Sequence, residues 1–468
     1  MPFEDAVQLA AQVASKERSP VEIVREHLDR IEAVNPPLNA IVTLVAERAI
    51  AEAKRAEETV MRGEALGPLH GVPFTVKDSL DTSEVLTQRG SPIFRGRIPT
   101  ADATSVARLR DAGAILIAKT NLPEFSYATE TDNLLTGRAN NPWNLDRTPG
   151  GSSGGEAAAI AAGMSPLGLG SDVAISVRGP AAHTGIVALK ATHGRIPITG
   201  HWPEVPRRFW HVGPMARTVR DIALAYSLLA GPDGIDGYAT TPIDLTVGAE
   251  PKPAHELRIG WLVEPGFGPI ALDVAATVAA AANAFADLGF HVEPVRIPVL
   301  EENNGIDLYT KLHILETKPA IAQVTEGHPD ETFKYAARIL ATPDPSPAGY
   351  ILAAQAVERL RSGFAAYFQR YDALLCPVTP VPAPAHDLPE LVINGETVTA
   401  RHILRATVPF NLTGLPALSM RFGTSSDGLP VGVQLVSRWL AERTVLHFAA
   451  RLESMSSVVE LRPGLRHD

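Results

Sequence analysis

The tightest constraint on this chain is one short stretch, Pro149-Gly-Gly-Ser-Ser-Gly-Gly-Glu-Ala-Ala-Ala-Ile160. Glycines crowded around two serines give a backbone free to take positive φ and to approach its neighbours closely. The alanine run after Glu156 starts a helix whose free N–H groups face the serines. A second block, Leu169-Gly-Ser-Asp-Val-Ala-Ile-Ser-Val-Arg-Gly-Pro180, reads as a strand leaving the core and turning over 172–176. Ser152 and Ser176 are therefore hydroxyls held on stiff turns.

A base for them lies upstream, in His70-Gly-Val-Pro-Phe-Thr-Val-Lys-Asp-Ser79. Phe74 and Val76 share one face of a short strand, and Thr75 and Lys77 share the other. At the end of an apolar strand desolvation disfavours the charged form of a lysine, and a neutral Lys77 accepts a proton from a serine.

Together these segments resemble the amidase signature family, serine hydrolases that cleave C–N bonds with a Ser–cis-Ser–Lys triad. The resemblance is carried by Gly71-Val-Pro-Phe-Thr-Val-Lys-Asp78, Gly150-Gly-Ser-Ser-Gly-Gly155 and Gly170-Ser-Asp-Val-Ala-Ile-Ser-Val-Arg178, in that order. It implies Lys77 as base, Ser152 as a bridging serine preceded by a cis peptide bond, and Ser176 as nucleophile. It also implies an oxyanion hole built from the backbone N–H groups of Val173, Ala174, Ile175 and Ser176. Asp172 and Arg178 would hold that turn, and Ser153 would support Ser152. The loop after the strand at 114–118 would line an acyl pocket, with Ser126, Tyr127 and Thr129 as substrate contacts. No cofactor and no metal are implied. The family usually has two glycines where this chain has Ala174-Ile175; a positive φ there would cost about 1 kcal/mol for alanine and more for a β-branched residue.

Composition excludes other classes. Hydrophobic residues at 45% and charged residues at 20% describe an ordinary globular protein. A net charge of −10 argues against a nucleic-acid surface, which needs a basic face. The single cysteine, Cys376, excludes an internal disulfide and fits a reducing cytoplasm; within Ala373-Leu-Leu-Cys-Pro377 it is expected to be a buried, inert thiol. The N-terminus lacks a signal-peptide pattern, and no apolar run reaches the roughly 18 residues of a membrane span. Glycine-serine turns before helices also bind phosphate, but no Gly-Lys-Ser/Thr follows and no acidic ribose partner is placed. The histidines show no His-Glu-x-x-His spacing. The expectation is a cytoplasmic monomer or homodimer that acts on a small molecule, with no nucleic acid, membrane or cofactor partner.

Helix, glycine, strand recurs along the chain, as in a helix over 104–112, Gly113 and an apolar run over 114–118, which is the α/β rhythm. Ser19-Pro-Val-Glu22 caps a helix expected to end at Asn35, before Pro36-Pro37. Further helices are expected over 45–62, 218–229 and 441–452, and strands over 258–263 and 431–436. The resemblance implies an α/β fold in which a large mixed sheet is sandwiched between helices. Residues 1–65 form a helical layer, 66–250 the catalytic core, 251–370 a helical cap or insertion, and 371–468 the return to the core sheet. Residues 251–253 read as a linker. The stiff aromatic loop over 201–211 either walls an apolar ligand pocket or lies on the surface.

The function this implies is hydrolysis of the acyl–nitrogen bond of an aryl amide, anilide or carbamate (urethane) through an acyl-enzyme on Ser176. Two alternatives stay open: the amidase-like component of a tRNA-dependent amidotransferase, supplying ammonia to a partner, and a non-catalytic member with an altered oxyanion turn.

Overall fold

A computed structural model of the chain describes residues 3–204, 207–241 and 253–465. Most of the expected linker, and positions 205–206 of the aromatic loop, lie outside the described residues. In chain order the strands are β1 (Ile41–Leu44), β2 (Pro73–Lys77), β3 (Ile115–Thr120), β4 (Leu167–Asp172), β5 (Val187–Lys190), β6 (His211–Ala216), β7 (Arg258–Trp261), β8 (His291–Pro294), β9 (Ala373–Pro377), β10 (Glu390–Ile393), β11 (Glu396–Thr399), β12 (Ala417–Thr424) and β13 (Pro430–Val436).

Eleven of them form one mixed sheet in the order β1-β3-β2-β4-β6-β5-β12-β13-β9-β7-β8. Parallel pairing joins β3, β2 and β4 on one side and β9, β7 and β8 on the other, with antiparallel pairing between. Strands β2, β3, β4 and β6 are buried at every position. That is the burial expected where helices cover both faces of a sheet, and the fold is α/β, a large mixed sheet sandwiched between helices. The remaining two strands, β10 and β11, form a hairpin whose turn residues Asn394 and Gly395 both take positive φ.

The helices follow their caps. Ser19 opens the helix Pro20–Leu38 with a capping box, and Gly63, at φ 70°, closes the helix Ala46–Arg62. The first of these runs past Pro36 and Pro37, beyond the expected end at Asn35. Both prolines sit in the last turn, where each removes an N–H that would have bonded the carbonyl four residues back, and Asn39 ends the helix in the left-handed conformation. The N-terminal helical layer also contributes an edge strand, β1, paired antiparallel with β3. The region expected to be largely a helical cap beyond residue 270 contains β8, which with β7 and the intervening helix Leu272–Asp287 makes a parallel unit at the far edge of the sheet. No helix among the described residues is long and apolar enough to cross a membrane.

Candidate active site

β2, β3 and β4 run parallel and side by side, so their C-terminal ends lie together, and in open α/β sheets ligands bind at such ends. Lys77 ends β2, while Ser171 and Asp172 end β4. The glycine-serine stretch lies against them and runs into the helix Gly154–Ala161, with a cis peptide bond between Gly151 and Ser152.

Lys77 Nζ lies 2.6 Å from Ser152 Oγ and 3.0 Å from Ser171 Oγ. Its side chain is 0% exposed. Burial pushes the amine well below the usual lysine range, while the carboxylates of Asp172 and Glu156 pull it the other way. Glu156 is itself buried, and desolvation raises its carboxyl to about 7 against hydrogen bonds from the hydroxyls of Thr75 and Thr120. A buried lysine whose free amine is favoured in this way, with a hydroxyl at hydrogen-bond distance, can act chemically as a base once deprotonated.

Ser176 is reached from the outside. It lines a cavity of about 390 Å³ together with Val173, Ala174, Ile175 and the loop residues Ser126, Tyr127 and Thr129. Ser176 lines the cavity, whereas Ser152 and Lys77 are fully buried and do not. The structure brings Lys77 and Ser152 into contact but does not join Ser152 to Ser176 by a hydrogen bond. The Ser176 carbonyl instead accepts from the Ser153 N–H at 3.1 Å. Catalytic hydrogen bonds are often open in unliganded sites and tighten on the substrate.

None of the N–H groups of residues 173–176 donates to an acceptor among the described residues. Buried N–H groups are rarely left so, and these belong to residues that line the cavity. Neither Ala174 nor Ile175 has positive φ, so the strain foreseen for replacing two glycines does not arise. The bulk of Ile175 is taken up by Gly179, where an added Cβ would stand 2.6 Å from Ile175 Cγ1.

The turn is pinned from within by a buried ion pair. Arg178 donates from Nη2 to Asp172 Oδ1 at 3.0 Å and from Nε to Oδ2 at 3.1 Å. Burial alone would raise the Asp172 carboxyl, but Arg178, Asn411 and the Val177 N–H together hold it below its usual range. Arg178 also donates to the Ala174 carbonyl, the Thr407 carbonyl and the Gln434 amide. Removing one partner of such a pair leaves a buried charge uncompensated. Asp172→Ala is therefore expected to lower the unfolding free energy by about 3–5 kcal/mol, read from urea denaturation. Ser153 reaches β4, its hydroxyl bonding the N–H and carbonyl of Ser171 at 3.3 Å.

Of the expected contacts, Ser126 has a positive φ and a buried hydroxyl with no hydrogen-bond partner. Tyr127 Oη lies 3.1 Å from His313 Nε2 and 2.9 Å from Thr317 Oγ1. The opposite walls bring residues the sequence did not single out: Tyr309, Ile314, Tyr335 and Ile339 from the helical region, and Leu404. Charged groups sit at the mouth, with Lys334 between Asp132 and Asp387 and with Arg338 and Arg401 close by. None of the described residues of the aromatic loop lines the cavity. Trp210 is buried behind Tyr127, and Trp202 packs on Phe94 and Phe125. These indoles pack against other rings of the core instead. Cys376 is buried at the Gln434 amide, and desolvation pushes its thiol up to about 12. Ser171 and His201, which also meet at this site, lie within segments the sequence singled out but were given no role there.

Residues 22–446 match the family described as Amidase. The chain is 35% identical to one of the subunits of the glutamyl-tRNA(Gln) amidotransferase of Symbiobacterium thermophilum, covering 99% of each chain. Among solved structures it is similar to a 6-aminohexanoate cyclic dimer hydrolase complexed with substrate, at 30% identity, a TM-score of 0.88 and 99% of each chain. A bacterial aryl acylamidase of the amidase signature enzymes is also similar, at 28% identity and a TM-score of 0.87, over 97% of this chain and 96% of that one.

Proposed function

The chain belongs to the amidase signature family of C–N hydrolases, and from that premise we propose that it cleaves the acyl–nitrogen bond of aryl amides, anilides or carbamates through an acyl-enzyme on Ser176. The observation that carries this reading is a fully buried Lys77 amine 2.6 Å from Ser152 Oγ, together with a cavity that Ser176 lines.

In this mechanism Ser176 Oγ attacks the carbonyl carbon as its proton passes to Ser152 Oγ and the Ser152 proton passes to the lone pair of Lys77. The oxyanion that forms is met by the unpaired N–H groups of 173–176, donors typically worth about 3–4 kcal/mol each. Ser152 then returns a proton to the departing nitrogen, which leaves as a neutral amine, and Lys77 gives its proton back to Ser152. Water hydrolyses the acyl-enzyme along the same path. Arg178 and Asp172 keep the turn in place and touch no reacting atom.

The tyrosines and aliphatic side chains on the cavity walls favour an apolar or aryl substrate. The likeness to an amidotransferase component favours a second reading, in which the substrate is glutamine and the product ammonia is passed to a partner. A panel of p-nitroanilides, anilides, aryl carbamates and glutamine, assayed with the purified chain, separates the two. We expect kcat/KM for at least one aryl substrate to exceed that for glutamine by about 100-fold, a margin the apolar contacts of one ring can supply. Turnover of glutamine alone would sink the first reading.

A further inference from the structure

We infer that His201 is a positioning residue which, acting through Ser171, turns the lone pair of Lys77 toward Ser152. This rests on the hydrolase reading above and adds to it a group two hydrogen bonds away from the reacting atoms.

A neutral lysine amine has two N–H donors and one lone pair. Lys77 Nζ has two oxygen partners, Ser152 Oγ at 2.6 Å and Ser171 Oγ at 3.0 Å. It takes the Ser152 proton only if its lone pair faces Ser152, so it must donate to Ser171. Ser171 Oγ has one proton to give, and its other side-chain neighbour is His201 Nε2, at 2.9 Å. If the Ser171 proton points at Lys77, it occupies the lone pair and stops the relay. If it points at His201 Nε2, both Ser171 lone pairs are free and Lys77 is oriented for catalysis. An imidazole with a bare Nε2 selects the second arrangement.

The surroundings keep the ring able to do this. His201 is buried, its ring tilted against Trp210 with 4.5 Å between centroids, and paired through its backbone with Leu80 beyond β2. Desolvation, reinforced by Lys77 and Arg89, holds the imidazole well below its usual range against the Pro203 backbone, which raises it; Nδ1 is buried with no hydrogen-bond partner among the described residues. Among the described residues no carboxylate raises it. A neutral ring with its proton on Nδ1 leaves Nε2 as an acceptor; an imidazolium, or the tautomer protonated at Nε2, could only donate to Ser171 and would reverse the chain.

The test is a double-mutant cycle in the full chain, with pH profiles on the best aryl substrate of the panel. His201→Phe keeps the ring contact with Trp210 and removes the acceptor. It is expected to lower the kcat/KM plateau by about 10- to 100-fold, a part of what a positioned proton acceptor is worth. Its acidic limb should move to lower pH, because the released Ser171 proton then stabilises the neutral amine. In a Ser171→Ala background the same substitution should have no further effect. His201→Gln, which keeps a side-chain acceptor, should recover part of the loss and serves if the Phe variant does not fold. Multiplicative effects of the two substitutions, or an unmoved acidic limb, would overturn the inference. If Ser176→Ala and Lys77→Ala keep activity, it is the hydrolase reading that falls; if both abolish it and His201→Phe is silent, only the positioning role falls.

Discussion

Lys77→Ala is expected to leave no measurable turnover at any pH, a loss of about 10⁴-fold or more in kcat. Near-normal turnover would remove the proposed base. In the proposed mechanism the active form is the free amine, so kcat/KM should rise as pH climbs through the Lys77 pKa and fall away below it. Burial has moved that pKa well under its ordinary value of 10.5, and the limb should lie correspondingly low. The same shift makes the lysine a burden on stability. Between its folded pKa and 10.5 the unfolded chain holds a proton there and the native chain does not, so stability grows with pH across that window. Lys77→Met, which keeps the volume without the amine, should therefore raise Tm at neutral pH while abolishing activity. A Tm that falls would mean the amine is charged in the native state.

Ser176→Ala should reduce kcat by about 10⁴- to 10⁶-fold, the range found when a nucleophile is removed from a unit whose members act together. Covalent labelling by a fluorophosphonate should disappear with it. Because the Ser176 hydroxyl makes no hydrogen bond within the described residues, stability should stay within about 0.5 kcal/mol. Labelling that survives the substitution would place the nucleophile elsewhere. Labelling absent from the wild type as well would favour the non-catalytic alternative.

The fold was legible wherever the signal was local. Continuous apolar runs became buried strands at 115–120 and 430–436, and Ser19, Gly63 and Thr218 bound helices where their chemistry says they should. The Asn394-Gly395 hairpin is a local signal that went unused. β8 was hidden because His291-Val-Glu-Pro294 is an edge strand with half its surface wet and no continuous apolar run.

Within the site, Lys77, Ser152 and Ser176 stood out because each sits in a segment of unusual composition. Ser171 and His201 did not, because a serine on a strand and a histidine in a loop acquire meaning only when strand pairing brings residues 77, 171 and 201 together. Tyr309 and Tyr335 were unreadable for the same reason, reaching the cavity from helices more than a hundred residues downstream of Ser176. The Ala174-Ile175 exchange looked costly because a glycine pair suggests positive φ. The backbone asks for none, and room for the isoleucine comes from Gly179.

The guanidinium that braces the turn over 172–176 takes three of its contacts from far down the chain, at Thr407, Asn411 and Gln434. During synthesis Lys77, both serines and the turn itself leave the ribosome long before those residues exist. A nascent chain therefore carries every reactive group of the site without the brace that shapes it, and that brace can close only when β13 has emerged. Arrival of these late residues is in this sense built into the architecture as the step that finishes the turn.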